Sequence, residues 1–195
     1  LYLDNNAISD ITAVANLTNL TTLELSGNPL TVVALPIIEG LEAGGTDVKY
    51  DAIPDPAVVS IPDANLRAAL ESALGKNAGD AITDAELATL TYLTAPESSI
   101  TDLTGLEHCT GLTSLNLYAN EISDISSVAN LTGLEFLLLD ANEISDISAV
   151  ANLTNLIRLN AGGNQLNNIS AVANLTNLKG LWIGNNNISD IFVSD

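Results

Sequence analysis

The chain has 195 residues, of which 47% are hydrophobic and 15% are charged, so it holds enough apolar side chains for a filled core and lacks the composition of a disordered segment. Its 24 acidic and 5 basic residues give a net charge of -19, which argues against nucleic acid and anionic membrane surfaces as partners, because few cations are present to meet phosphates. No apolar run approaches the roughly 20 residues of a membrane-spanning helix, so membrane insertion is not expected either.

The first part of the chain contains a short pattern that occurs twice and then changes. The hexapeptide at 1–6 (LYLDNN) is followed by a similar one at 23–28 (LELSGN). The Leu-x-Leu alternation predicts a strand with two inward side chains. Residues 31–45 are predicted to form a helix or irregular coil interrupted at Pro36, and residues 46–50 a final strand.

A proline-rich linker and a pair of helices are predicted next. The linker covers residues 51–60. One helix is predicted over residues 64–74, with Asp63 as its N-cap and Gly75 as its end. A second, short helix is predicted through Leu90, and its capping box is formed by Thr83 and Glu86.

The pattern of the first hexapeptides then returns and continues to the last residues. Copies begin with a degenerate one in which Ser98 replaces asparagine, and they occur at 93–98, 115–120, 137–142, 159–164 and 181–186, which is a 22-residue period. So regular a period predicts a solenoid, in which strands of successive coils pair in parallel about 4.8 Å apart. One coil cannot bury its apolar edge alone, so stacking supplies the stability.

Two polar positions recur with the same period. The asparagine at the end of each copy is predicted to point inward and to bond backbone groups of the turn that otherwise have no partner. This Asn ladder comprises Asn6, Asn28, Asn120, Asn142, Asn164 and Asn186. The Ser-Asp pairs at 9–10, 123–124, 145–146 and 189–190 precede the convex turn and are predicted to cap its N–H groups.

These copies resemble the leucine-rich-repeat family, in particular the 22-residue repeats of bacterial internalin-like surface proteins, and the resemblance covers nearly the whole chain. It implies an α/β leucine-rich-repeat solenoid with parallel strands on the concave face, short helical or irregular segments on the convex face, and a small helical N-terminal cap. In these terms residues 1–50 are the last repeats and closing cap of one array, 51–60 a linker, 61–92 the opening cap of a second array, and 93–195 its repeats without a closing cap.

The order of these parts, a closing cap before an opening cap, leaves three interpretations open. The chain is an excerpt of a longer protein with tandem arrays, a subunit that stacks head to tail, or a permuted sequence. A start at Leu1 within a repeat, and the absence of methionine, are expected of an excerpt or a processed chain. Head-to-tail stacking would join the apolar residues of the two open ends. These are Leu1, Tyr2, Leu3, Leu181, Ile183, Ile191 and Phe192.

The concave face is the predicted binding surface, because its outward side chains are free to vary in solenoids. Here it carries a small apolar patch with one cation, and Trp, Tyr and Arg are the residue types that dominate interface energetics. The alternative is that these aromatic residues only cover the sheet or help neighbouring chains pack. The candidate partner-binding residues are Tyr118, Phe136, Leu138, Asp140, Arg158, Asn160 and Trp182.

Catalytic and metal sites are not predicted. Cys109 aligns with the leucine position of Leu131 and is interpreted as a small buried filler rather than a nucleophile. The adjacent His108 aligns with an exposed turn position, and neighbouring side chains in a turn point apart. One histidine and one cysteine cannot form a zinc shell, and the aspartate column lacks the dense carboxylates of a calcium loop, so capping is preferred and no cofactor is expected. That column consists of Asp10, Asp102, Asp124, Asp146 and Asp190.

The predicted function is therefore a non-catalytic interaction or adhesion scaffold of a bacterial surface or secreted protein, with a protein partner on the concave face. The alternative is a structural subunit that stacks copies of itself head to tail into an extracellular filament. An enzyme is not expected, because no nucleophile, acid-base pair or cofactor loop is evident. The extracellular location follows from the resemblance, and a signal sequence would lie outside this chain.

Overall fold

The computed structural model describes residues 1–53 and 57–189, apart from the side chain of Val32. The chain divides into two units, Leu1–Pro56 and Ala57–Asp195, and the division falls within the predicted linker. Much of that linker is attached to one unit or the other. The Asp51 carboxylate accepts the Gly27 N–H (2.6 Å) in the first unit, whereas the Val59 N–H donates to the Ile82 carbonyl (2.8 Å) in the second.

The first unit is built from one helix and two parallel strands around an aliphatic core in which Leu23, Leu25 and Ile38 are fully buried. Its elements are the 3-10 helix Thr12–Val14, strand β1 (Thr22–Glu24), the 3-10 helix Val32–Ala34, helix α1 (Leu35–Ala43) and strand β2 (Asp47–Lys49). The predicted interruption at Pro36 is wrong. This proline lies in the first turn of α1, where its missing N–H costs no helical hydrogen bond.

The second unit opens with two helices whose N-terminal ends are capped by side chains. Helix α2 spans Ala64–Leu74, and Asp63 accepts the N–H groups of Asn65 (2.9 Å) and Leu66 (2.8 Å). The helix stops at Gly75, whose φ of 67° suits a residue without a side chain. Helix α3 spans Asp84–Ala88 and begins with the Thr83–Glu86 capping box. The predicted end at Leu90 is wrong, since the helix stops earlier, at Ala88.

The repeats of the second unit form one parallel sheet of five short strands. In spatial and chain order these are β3 (Tyr92–Thr94), β4 (Ser114–Asn116), β5 (Phe136–Leu138), β6 (Arg158–Asn160) and β7 (Gly180–Trp182). Each described return on the opposite side contains a 3-10 helix: Leu106–His108, Ser126–Val128, Ser148–Val150 and Ser170–Val172. Strand partners occupy equivalent positions of successive repeats, as Leu115 and Leu137 do, so the sequence period sets the pairing register directly.

The core of this unit is a continuous aliphatic column. The central leucine of each strand points inward, and Leu115, Leu137 and Leu159 are fully buried. The second leucine of the Leu-x-Leu step, such as Leu139, is equally buried although it follows the strand rather than belonging to it. Burial of each such side chain stabilises the fold by about 1.5–3 kcal/mol, and only stacking of coils makes that burial available.

The side chains of the Asn ladder bond two coils at once. Asn142 donates to the carbonyls of Leu139 in its own coil (3.0 Å) and Leu117 in the preceding one (2.9 Å). Its side-chain oxygen accepts the Ile122 N–H of the preceding coil (3.1 Å). The same three kinds of bond are made by Asn28, Asn120, Asn164 and Asn186. Asn6 is exposed, and within the described ranges it bonds only the carbonyls of Leu3 and Asp4 in its own turn.

Two further features that recur with the repeat were not predicted. A second set of side-chain hydrogen bonds links coils: Asn155 donates to the Thr132 carbonyl and Asn177 to the Thr154 carbonyl, each at 2.9 Å. In addition, the residue before each ladder asparagine, and before Ser98 in the degenerate copy, has a left-handed backbone, with φ between 52° and 74°. These residues are Asn5, Gly27, Glu97, Ala119, Ala141, Gly163 and Asn185.

The polar residue before each convex turn caps the turn. The Asp124 carboxylate accepts the Ser126 N–H at 2.8 Å, and Asn168 does the same for Ser170 at 2.7 Å with its amide oxygen. An amide and a carboxylate are therefore equivalent here, which fits capping and not calcium binding. Asp10, Asp102 and Asp146 bond in the same way, whereas Asp190 lies outside the described residues.

Candidate functional site

The outward side chains of the five-stranded sheet form three columns, which together are called the strand face. The first column starts each strand and consists of Tyr92, Ser114, Phe136, Arg158 and Gly180. The second column ends each strand and consists of Thr94, Asn116, Leu138, Asn160 and Trp182. The third column lies just beyond the strand ends and consists of Pro96, Tyr118, Asp140, Gly162 and Gly184.

Large aromatic side chains are exposed on the strand face. Tyr92 is 70% exposed, Trp182 53% and Tyr118 38%, whereas Phe136 and Leu138 between them are half-buried. Exposed aromatic residues over a filled core add nothing to that core. The strand face therefore holds apolar area that is available to a partner.

Arg158 lies over an aromatic ring of the neighbouring coil. Its guanidinium carbon is 5.8 Å from the centroid of the Phe136 ring, which is within cation-π range. Arg158 and Phe136 are register partners, so the contact follows from the repeat spacing. Within the described ranges no ion pair or side-chain hydrogen bond involves Arg158.

Gly180, the register partner of Arg158 on the other side, makes room for Trp182. A Cβ atom built on Gly180 would lie 2.5 Å from Cη2 and 2.6 Å from Cζ3 of the Trp182 indole. Any larger residue at 180 would therefore displace the ring. The indole belongs to the second column but covers the first-column position beside Arg158.

Two asparagines of the second column have fixed orientations. The Asn160 side-chain oxygen accepts the Gly162 N–H (3.2 Å), and the Asn116 oxygen accepts the Tyr118 N–H (3.0 Å). Each side-chain Nδ2 group makes no hydrogen bond to another described residue, so both amides offer donors on the strand face. The Asp140 Oδ1 atom is buried and has no hydrogen-bond partner among the described residues.

Cys109 is fully buried in the core, at the leucine position that the alignment predicted. Burial, together with the negative charge of Glu107, raises the pKa of the Cys109 thiol to about 12, so the thiol is neutral at physiological pH. His108 is half-exposed at the end of a 3-10 helix, and its Nε2 lies 3.9 Å from Glu107 Oε1. The Cys109 thiol therefore lies in the core, whereas the His108 imidazole lies at the surface.

The described residues contain no cluster of three or more histidine, cysteine, aspartate or glutamate side chains arranged to hold a metal ion. Likewise, none of the helices within the described ranges combines the length and apolar character needed to cross a membrane.

The residues proposed for head-to-tail contact lie at the first and last described coils. Leu1 is 41% exposed and Tyr2 76%, and Tyr2 pairs with Glu24 through a parallel bridge. Leu3, Leu181 and Ile183 are half-buried. Ile191 and Phe192 lie outside the described residues.

Comparison with protein families finds leucine-rich repeats in both units. The "Leucine Rich Repeat" family matches residues 19–41, and "Leucine Rich repeats (2 copies)" matches residues 154–195. Internalin J of Listeria monocytogenes serotype 4b (strain F2365) is 46% identical over 54 residues, which is 28% of this chain and 6% of that protein.

Solved internalin structures share the fold. An internalin, InlF, of Listeria monocytogenes strain 4b F2365 has a TM-score of 0.67 and 38% identity, over 70% of this chain and 42% of that one. The functional domain of InlJ from Listeria monocytogenes, which includes a cysteine ladder, has a TM-score of 0.64 and 32% identity, over 72% of this chain and 32% of that one.

The chain thus spans less than half of the length of each of these relatives. The identity to InlF and InlJ, together with the shared fold, confirms the predicted architecture, a solenoid with parallel strands on the concave face. The two family matches and the internalin relatives support the predicted relationship of this chain to bacterial internalin-like leucine-rich-repeat proteins.

Proposed function

We propose that this chain is a non-catalytic adhesion or interaction scaffold that holds a protein partner on its strand face, at the surface of a bacterium or secreted from it. Leucine-rich-repeat proteins bind protein partners, and the internalin-like relationship supports the same role here. The partner-binding residues that we propose all lie in the three columns of the strand face. They are Tyr118, Phe136, Leu138, Asp140, Arg158, Asn160 and Trp182.

The observation that carries the proposal is the exposure of Tyr118, Arg158 and Trp182 over a filled core, with the half-buried Phe136 and Leu138 beside them. Trp182 is the chain's single tryptophan, and it is 53% exposed on a glycine that leaves room for it. Truncation of aromatic anchors in interfaces is what costs most binding energy. Phe136 and Trp182 flank Arg158 from the two neighbouring coils and would form the centre of such an interface.

The test is selection of a random peptide display library on the whole immobilised chain. Selected peptides should lose affinity at least about 30-fold when Phe136→Ala and Trp182→Ala are combined. Circular dichroism and thermal unfolding establish that the double variant keeps its fold. The matched control is Val58→Ala, which removes an apolar side chain that is 68% exposed in the same unit but away from the strand face. Equal binding by the double variant and the control would contradict the proposal.

The filament alternative stays a prediction of the sequence. Self-association of the purified chain would distinguish it from partner binding, because a filament subunit polymerises without any other protein.

A further inference from the structure

We propose that Arg158 is the anchor for an acidic side chain, an aspartate or glutamate, within an apolar segment of the protein partner. This inference rests on the proposed function, because it names the chemistry that the strand face recognises. Four observations on the strand face support it. The Arg158 guanidinium has no ion pair with a described residue, aromatic groups lie on both sides of it, neighbouring side chains have unused hydrogen-bond donors, and the face carries few acidic residues.

The guanidinium of Arg158 lies within cation-π range of an aromatic ring but is not paired with any described acid. Its carbon is 5.8 Å from the centroid of the Phe136 ring, and its N–H donors form no ion pair or hydrogen bond with another described residue. Arg67 and Lys76 of the same unit are instead paired with Glu71 and Glu86. A planar fork of unused donors matches the two oxygens of a carboxylate.

Aromatic groups border Arg158 on both neighbouring coils. Phe136 lies on the preceding coil, and the Trp182 indole covers Gly180 on the following coil. Because strands are about 4.8 Å apart, each ring lies one strand away from Arg158. A partner segment packed on these aromatic groups would exclude water from a carboxylate bound between them and so strengthen its charged hydrogen bonds.

The groups next to this cation are also donors. Asn160 ends the strand that Arg158 begins, on the same face, and its side-chain Nδ2 has no described acceptor, because the oxygen is fixed by the Gly162 N–H. Trp182 is the register partner of Asn160, and its indole N–H likewise makes no described hydrogen bond. A ligand rich in acceptors satisfies all three side chains together.

The strand face carries few of the chain's acidic residues, which favours an acidic ligand. The chain carries 24 acidic residues, yet the three columns of the strand face contain one, Asp140, against one cation, Arg158. Asp140 lies on the same coil as Phe136 and roughly 13 Å from it along the strand direction. The strand face therefore lacks the excess of acidic residues that the chain carries as a whole.

The test uses three blocked peptides with the sequences Gly-Leu-Glu-Leu-Gly, Gly-Leu-Gln-Leu-Gly and Gly-Leu-Lys-Leu-Gly, titrated into the whole isotope-labelled chain. The readouts are the NMR signals of the single tryptophan indole N–H and of the arginine Nε–H groups. The glutamate peptide should shift both signals and bind about tenfold or more tightly than the glutamine peptide, since one charged pair is lost between them. The lysine peptide should bind most weakly.

Arg158→Gln should remove the preference for glutamate over glutamine. Lys179→Gln is the matched control, because it makes the same charge change on the next coil but lies outside the three columns of the strand face. It should preserve the preference within about twofold, since a charge beside the face contributes only a solvent-screened attraction. Equal binding of the glutamate and glutamine peptides, tighter binding of the lysine peptide, or a preference that survives Arg158→Gln would overturn the inference.

These outcomes separate the inference from the proposed function. If all three peptides shift the tryptophan signal equally, the strand face binds peptides and only the role of Arg158 is wrong. If none of them shifts it, and the display-selected peptides ignore the Phe136→Ala and Trp182→Ala changes, both proposals are wrong.

Discussion

Asn142 reaches back from its own coil and donates its side-chain amide to the backbone carbonyl of Leu117, 2.9 Å away in the preceding coil. It also accepts the Ile122 N–H of that coil, and both backbone groups are in the buried interior. Adjacent coils are therefore joined by side-chain bonds as well as by the strand ladder and the leucine core.

The first prediction concerns this ladder. Asn142→Ala should lower the free energy of unfolding by about 1–3 kcal/mol, because it leaves buried backbone groups without partners. Urea denaturation followed by circular dichroism measures the loss. Asn152→Ala is the control, since Asn152 is exposed and has no described side-chain bond, and it should change stability by less than about 0.5 kcal/mol. Equal effects would contradict the structural role of the ladder.

The residues with a left-handed backbone give a prediction in which glycine substitutions at two positions change stability in opposite directions. Ala141 has φ of 57°, which costs a residue with a side chain about 1 kcal/mol, so Ala141→Gly should stabilise the chain by up to about that amount. Ala151 has φ of -56°, so Ala151→Gly should destabilise by about 0.5–1 kcal/mol. The two melting temperatures should move in opposite directions, and a shift of both in the same direction would refute the assignment.

Asp63 makes stability depend on pH. Its burial would raise its pKa, but hydrogen bonds from the N–H groups of Leu66, Thr101 and Asp102 outweigh this and lower the pKa below the usual value of 3.8. A lowered pKa in the folded state means that Asp63 stabilises above the unfolded pKa and loses this contribution as pH falls through the folded pKa.

Asp63→Ala should cost about 0.5–2 kcal/mol at neutral pH through loss of the helix cap. The difference in unfolding free energy between this variant and the parent chain should shrink as the pH falls below 3.8. A difference that stays constant down to acid pH would show that the carboxylate charge has no part in it.

Cys109 supplies a prediction at alkaline pH. Its thiol should resist a disulfide reagent in the folded chain at about pH 8 and react only on unfolding, because it is fully buried and neutral. Its pKa rises from 9.0 to about 12 on folding, so the unfolded chain ionises first. The contribution of Cys109 to stability should therefore fall as pH rises from 9.0 toward about 12, relative to Cys109→Ala. Rapid labelling of the folded chain would disprove the assignment.

Self-association distinguishes the partner-binding scaffold from the filament. A scaffold should sediment as a monomer of 20.2 kDa over a wide concentration range. A head-to-tail subunit should instead form longer species as concentration rises, and Leu181→Asp should shorten them while a polar change at the exposed Thr154 should not. Polymers that are sensitive to Leu181→Asp would favour the filament over the proposed function.

The repeat architecture could be predicted because a single period fixes several features together. The same interval specifies strand register, the leucine core and the positions of the Asn ladder, so that even Cys109 could be placed from its alignment with Leu131. The effect of a single residue on the element around it was harder to predict. Pro36 was expected to interrupt a helix, yet it occupies the one turn where proline is tolerated.

The candidate site was predicted only as a list of outward residues on the concave face. Which residues share the strand face follows from the period, but the position of the Trp182 indole over Gly180 depends on a side-chain rotamer and on empty space, neither of which a pattern specifies. The left-handed residues had a signal that was missed, because Gly27 and Gly163 occupy the same position of the repeat as Ala141.

Apart from Asn6, each ladder asparagine bonds backbone groups of the coil before it. The stack consequently has a polarity that its leucine core lacks. Removal of a coil deprives buried backbone groups of its earlier neighbour of their partners, whereas the asparagine of its later neighbour can bond water instead. Insertion or deletion of whole repeats should therefore be tolerated only when every interior coil keeps a successor that carries this asparagine.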